Sequence, residues 1–421
     1  MSSVPKGEDS SPSDRASESC ASPGKAPRRL PSTTDATAEA AKARRARLAE
    51  EGIETRQISG EGPEIAPEEL AGSIEGFVGF ARIPVGVAGP VRINGSAARG
   101  DFFIPLATTE GSLVASYQHA FNAMNRTGGV SVLCTRERVG RAPCFELANL
   151  AEAGEFATWL PSQLGGLQEI VSGRSRFCRL AEIQHSIVGN SVYLLLEFTT
   201  GDAAGQNMVT AAAQAVCAKL LEDMPVKPRR WWNESTMSGD KRATASAFRT
   251  RGRNVSAEIV LPAKYLWRYY QSEPAHFVRT WHQAMSGSAQ IGAIGLQANV
   301  ANTLAALFIA CGQDVACVSE AVTGLTRVEP TPEGDVYISV TLPNLIVGTV
   351  GGGTYLPTAR ECLTMMGCYG TGKARKFAEI CATLALAGEL ALVGVISSGA
   401  FAQAHAGATE ARKPMAGACR T

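Results

Sequence analysis

The sequence predicts an α+β protein: a large domain around a long apolar helix, with a small domain of ferredoxin type inserted into it. Three observations point there. The chain has 421 residues, 45% hydrophobic and 19% charged, enough for two or three domains with sizeable cores. Between residues 142 and 235 the pattern reads strand, helix, two strands, helix, strand, the order of a split β-α-β unit. From Ile380 to His405 the only charged residue is Glu389, in a stretch long enough to be the central helix of a core.

In order along the chain, residues 1–34 are rich in Ser, Pro, Asp and Lys and read as a disordered tail. Residues 35–80 form a helical N-terminal region, with one or two surface helices in the alanine-rich part. The large domain is expected over 81–141 and 236–405. It opens on the run Ile83 to Pro90, held extended by its glycines and prolines. The run Ile104 to Gly111 leads into a helix from Ser112 to Met124, with apolar residues at Leu113, Val114, Tyr117, Phe121 and Met124. Thr108 or Thr109 suits the N-cap, which places Glu110 in the first turn, where a carboxylate complements the dipole.

The small domain, 142–235, contains a helix between about 150 and 170 and a hairpin across Gly189-Asn190. A second helix follows from about Ala203 to Leu221, and a last strand from Arg230 to Trp232. Back in the large domain, strands are expected at Val255–Leu261 and Asp335–Leu342, and helices at Ile291–Gly312, Ala359–Met366 and about 375–403. Residues 406–421 read as a mobile tail.

Composition excludes several classes. A net charge of +1 offers no basic excess for nucleic acid. Eleven cysteines without a C-x-x-C pair read as reduced thiols of a cytoplasmic protein. No apolar h-region marks a secretory signal, and Glu8, Asp9, Asp14 and Glu18 speak against a transit peptide. The stretch from Ile380 imitates a membrane span in length, but Glu389, its small residues and Ser397-Ser398 favour a buried helix. Gly367 to Lys373 fits G-x-x-x-x-G-K, yet Ala374 stands where a P-loop needs Ser or Thr. His119, His185, His276 and His282 show no metal-ligand spacing, and no metal is expected.

Six features remain that suit chemistry. Gly201 to Met208 runs from a strand into a helix start, a place for an anionic ligand. Gly348 to Thr354 holds three successive glycines without the Rossmann fingerprint. Lys241 follows a Ser238-Gly239-Asp240 turn and suits a developing oxyanion. Asp314 lies just beyond an apolar helix, and His405 ends the long one. Glu110 is the sixth. Singly, each has an ordinary explanation: a helix-start acid, an Asp cap, a tight turn, a solvated lysine, a C-cap histidine.

In their order along the chain, together with Pro84 to Pro90 and Cys311 to Asp314, they resemble the 3-hydroxy-3-methylglutaryl-coenzyme A reductase family over roughly residues 65–410. The resemblance implies NADPH-dependent reduction of an acyl-CoA thioester through a hemithioacetal and an aldehyde to an alcohol. Lys241 then meets each oxyanion, Glu110 supplies a proton, Asp314 tunes the lysine, and His405 protonates the leaving thiolate. It also implies cofactor contacts at Asp202, Ala204, Gly205, Gln206 and Asn207, along Gly351, Gly352 and Gly353, and at Ser175 and Arg176. Arg176 would favour NADPH through its 2′-phosphate. Arg141, Arg242 and Asn302 match substrate-side positions, and Ser116 a coenzyme A contact. A homodimer or homotetramer with shared active sites is implied, in a soluble form without a membrane anchor.

The chain departs from the family at several places. Ala204 and Gln206 stand where Met is usual, and Gly76 where Asn is. Glu234 and His282 replace a Ser and a Lys that help hold the substrate carboxylate. Ala411 replaces a regulatory Ser. The alternatives are a reductase of another acyl-CoA and a catalytically silent nucleotide-binding relative.

Overall fold

Alanine and charge give the N-terminal region its helix, α1 (Ala38–Ala49), whose N-cap Thr37 accepts the Ala40 amide. The structure, a computed structural model, describes residues 29–31 and 35–402. The two tails, His405 and Ala411 lie outside the described residues.

The chain continues through β1 (Val85–Gly95), β2 (Arg99–Ala107), α2 (Leu113–Met124) and β3 (Val130–Arg141). Next come β4 (Cys144–Glu146), α3 (Leu150–Trp159), α4 (Leu164–Arg174), β5 (Arg179–Val188), β6 (Ser191–Thr199), α5 (Gln206–Asp223) and β7 (Arg230–Trp232). It then returns as β8 (Gly252–Leu261), α6 (Ala263–Tyr270), α7 (Pro274–Gln290), α8 (Val300–Ala310) and the single turn α9 (Val318–Ala321). The last elements are β9 (Leu325–Pro330), β10 (Val336–Leu345), α10 (Pro357–Met365) and α11 (Ala374–Ser397).

The strands form two joined layers. The larger has the order β2-β1-β3-β8-β10-β9, antiparallel except where β1 runs parallel to β3. The smaller has the order β7-β4-β6-β5, every pair antiparallel, which is the ferredoxin arrangement the sequence predicts. β3 belongs to both: Ser131 to Arg138 pairs with β8, and Val139 to Arg141 with β6.

α11 packs against the large layer, over β3, β8 and β10. Phe377 to Ala391 is buried without interruption, which accounts for a helix apolar all round. Each fully buried Leu or Ile there contributes about 2 kcal/mol. Its two acids are satisfied by chain turns rather than by cations. Glu379 accepts from Ser96 Oγ and the Ala97 and Ala98 amides. Glu389 accepts from the Ala298 and Asn299 amides and Thr326 Oγ1. Burial pushes the Glu389 carboxyl up to about 7, against the pull of those donors.

Five expectations are corrected. The helix expected at about 375–403 ends at Ser397, ahead of Gly399 at φ 71°. The helix expected at 150–170 is broken around Pro161 into α3 and α4. The helix expected from Ile291 starts only at Val300, because Gly292 and Gly295 take positive φ of 68° and 93°. The helix expected from Ala203 starts at Gln206, after Gly205 in the left-handed region. Glu110 is not in the first turn of α2: the N-cap is Ser112, at φ 68°, and Glu110 lies in the preceding turn, its amide bonded to Thr108 Oγ1. The helices α6 and α7 and the strand β9 have no counterpart in the expectations. Aromatic-rich Tyr265-Leu266-Trp267 mixes strand and helix signals.

Candidate active site

Three loops meet at one place, each for a backbone reason. β6 hands over to a turn from Gly201 to Gly205, the N-cap of α5. Beyond β10, Val350 bridges Ala203 in parallel, and the Thr349 amide donates to the Asp202 carbonyl at 2.8 Å. The third loop follows α8. Gly312 has φ 62°, and a Cβ there would collide with the Gly353 carbonyl; one on Gly353 would stand 2.7 Å from the Gly312 carbonyl. Only two glycines let these backbones touch.

Lys241 and Asp314 project into the junction. Asp314 Oδ2 accepts from Lys241 Nζ at 2.8 Å and from Gln206 Nε2 at 3.3 Å, while Oδ1 accepts the Ala316 amide at 3.1 Å. The two side chains keep 44% and 39% exposure, so the pair opens to solvent. The hydrogen bond that Lys241 donates to Asp314 raises the Lys241 pKa, against a smaller desolvation effect. The ammonium is therefore held charged and within reach of a ligand oxygen.

The loops suit a dinucleotide. Gly351 and Gly352 have φ of 71° and 56°, and a Cβ on either would meet nothing within 4 Å, so their backbone faces open space. Asn207 is exposed on the first turn of α5 and Ala204 half-buried before it. Ser175 caps the end of α4, and its Oγ accepts the Phe177 and Cys178 amides and lies 3.9 Å from Met208 Sδ. Arg176 beside it is exposed, its guanidinium 4.6 Å from the centre of the Phe177 ring. An arginine therefore stands near the start of α5, with its charge outward.

Asp202 has another task. Its carboxylate accepts the Gly372 amide at 2.7 Å and the Ala374 amide at 3.0 Å, capping α11. The P-loop-like run thus holds a carboxylate of its own chain, and Asp202 latches the α5 loop to the central helix. Arg141 is buried. It donates to Thr210 Oγ1 at 2.8 Å, the Gln206 carbonyl at 3.2 Å and Asp240 Oδ2 at 3.1 Å. Its fork is spent on the scaffold. Arg242 is exposed and donates to the Asp240 carbonyl at 3.3 Å.

Glu234 turns inward on its own loop. Oε1 accepts the Thr236 amide at 2.7 Å and Ser238 Oγ at 3.1 Å, and Oε2 the Ala142 amide at 3.2 Å. Ser238 is 1% exposed, its hydroxyl given to Glu234. His282 is exposed on α7.

Glu110 stands elsewhere. Its Oε1 accepts from Asn302 Nδ2 at 3.4 Å, near the start of α8, and Ser116 lies in the first turn of α2. Asp314 follows the other end of α8. Asn302 to Ala310 spans about 12 Å of helix. One chain therefore gathers Lys241, Asp314 and Gln206 at one end of α8, and Glu110 with Asn302 at the other.

Pattern reading missed Arg251, Glu320 and Asn344, buried beneath Lys241. The available signal was Arg251-Gly252-Arg253, two arginines at the mouth of an apolar strand.

Comparison with known proteins bears on this site. The family model described as hydroxymethylglutaryl-coenzyme A reductase matches residues 40–409. A 3-hydroxy-3-methylglutaryl-coenzyme A reductase of Pyrococcus abyssi is 42% identical over 350 residues, 81% of this chain and 86% of the relative. One of Pyrococcus horikoshii is 43% identical over 350 residues, covering 81% and 84%. Among solved structures, a class II 3-hydroxy-3-methylglutaryl-CoA reductase from Streptococcus pneumoniae, bound to NADPH, superposes with a TM-score of 0.66. The match covers 83% of this chain and 86% of that one at 19% identity, a likeness of fold.

Proposed function

Because the chain belongs to the hydroxymethylglutaryl-coenzyme A reductase family, we propose that this cleft reduces 3-hydroxy-3-methylglutaryl-CoA to mevalonate and free coenzyme A. The observation that carries the reading is the Lys241–Asp314 pair at 2.8 Å where three loops meet. When bound, NADPH supplies the hydride for each of the two reductions.

The protein's own work is to manage charge and protons. Each reduction leaves negative charge on the substrate oxygen, and Lys241 stabilises it from a fixed position. Asp314 keeps the lysine charged. Between the reductions the C–S bond of the hemithioacetal breaks, and the thiolate takes a proton from His405. Glu110 protonates the oxygen that becomes the alcohol. Ala204, Gly205, Gln206, Asn207 and Gly351 to Gly353 would hold the cofactor, with 142–235 as its domain. Both oxygens of Glu234 are engaged by the Thr236 and Ala142 amides and the Ser238 hydroxyl, so this side chain takes no part in holding the substrate carboxylate. The purified protein should consume two NADPH per thiol released from the hydroxymethylglutaryl thioester. No oxidation of NADPH with that substrate would defeat the reading.

Arg176 is read as the partner of the cofactor's 2′-phosphate. Arg176→Ala should raise KM for NADPH about tenfold and leave KM for NADH unchanged. An equal rise for both would remove that role.

The separation of Glu110 from Lys241 supports a site shared between two copies. Val78, 100% exposed, and Phe80, 55% exposed, offer apolar surface for such an interface. Glu110→Gln and Lys241→Ala chains, each strongly impaired alone, should regain about one quarter of wild-type turnover when re-assorted in equal amounts, since half the dimers then carry one intact site. No recovery in verified mixed dimers would place both groups in one chain's site. From a cysteine set without a C-x-x-C pair and the buried α11, we read the enzyme as soluble and cytoplasmic.

A further inference from the structure

Beneath Lys241 lies a layer of charge that no step above uses. Arg251 is 1% exposed and Glu320 0%. They pair through Nε and Oε2 at 2.6 Å and through Nη2 and Oε1 at 3.3 Å. Glu320 Oε2 also accepts Asn344 Nδ2 at 3.1 Å, and Oε1 accepts the backbone amide of Lys241 at 3.3 Å. From Arg251, Nη2 continues to Asp240 Oδ1 at 2.7 Å and Gln206 Oε1 at 3.2 Å.

Lys241 itself has φ 54°. For a residue with a Cβ that conformation costs about 1–2 kcal/mol, and it persists only where the surroundings impose it. A buried ion pair is a poor way to gain stability, because desolvation offsets its attraction. This one reaches the main chain of the strained residue.

We propose that Glu320 is the positioning residue for Lys241: by holding its backbone amide in the left-handed turn, it aims the ammonium at Asp314 and at the reacting oxygen. Arg251 and Asn344 fix the carboxylate, and Arg251 ties the same point to Asp240 and Gln206. The effect is one of position. The carboxylate bonds the main chain, while the raised pKa of the ammonium traces first to Asp314.

The inference rests on Lys241 acting on the substrate oxygen, so Lys241→Ala is measured alongside. Glu320→Asp keeps the charge but withdraws the acceptor by one methylene. Per folded molecule, its kcat should fall about ten- to hundredfold. KM for the thioester and for NADPH should stay within about twofold, and the alkaline limb of kcat should keep its wild-type position. Wild-type kcat would overturn the proposal, as would a loss confined to KM. A downward shift of the alkaline limb would overturn it too, by showing that Glu320 acts through charge. If the Asp variant does not fold, Arg251→Lys loosens the same carboxylate while keeping the cation, and wild-type kcat there is equally fatal. Turnover retained by Lys241→Ala would instead defeat the parent reading.

Discussion

Lys241→Ala is expected to lower kcat by about 10²–10³-fold while KM for the thioester changes only a few-fold. The ammonium acts on charge that develops only as the carbonyl is reduced, so its removal falls on turnover rather than on ground-state binding. Asp314→Asn gives the matching result on the pH axis. The Asp314 hydrogen bond holds the Lys241 pKa above its ordinary value. Without that charge the ammonium deprotonates at lower pH, so the alkaline limb of kcat should move down. Steady-state kcat and KM across pH measure both; unchanged turnover in Lys241→Ala would leave the proposed mechanism without its electrophile.

Gly312→Ala should destabilise the protein by about 2–4 kcal/mol and raise KM for NADPH. Two costs add. Alanine at φ 62° carries about 1–2 kcal/mol of backbone strain. The new Cβ also collides with the Gly353 carbonyl and stands 2.8 Å from Ala359 Cβ, so the Gly351 to Gly353 loop must shift. Gly334→Ala is the control. Its φ is 83° but a Cβ there meets nothing within 4 Å, so it should show the strain alone. Denaturant midpoints for the two variants separate the terms, and equal losses would mean that the Gly312–Gly353 contact carries no weight.

Much of the fold was legible because its signals are local. The β5–β6 hairpin follows from Gly189-Asn190 between two apolar runs, and α11 from an apolar stretch too long to lie elsewhere. Boundaries failed where one residue took an unusual φ, as at Ser112, whose left-handed turn moves Glu110 out of α2. The candidate site was legible only through the order of its motifs, since each alone has a structural use. Asp202 shows why: its carboxylate does cap a helix, but α11 rather than α5. The Arg251–Glu320 pair was beyond reach. Its partners are 69 residues apart, one before a strand and one on a single helical turn, and no periodicity links them.

One strand, β3, is stitched into both sheets. A paired strand neither stretches nor slides past its neighbours without breaking its ladder. The smaller sheet is therefore tied to the larger through a continuous backbone ladder. The ladder of β3 is irregular between Cys134 and Arg136, and the strand ends before Ala142-Pro143, where it gives way to β4. A substitution in β3 is thereby felt in both sheets at once, since one backbone serves two ladders.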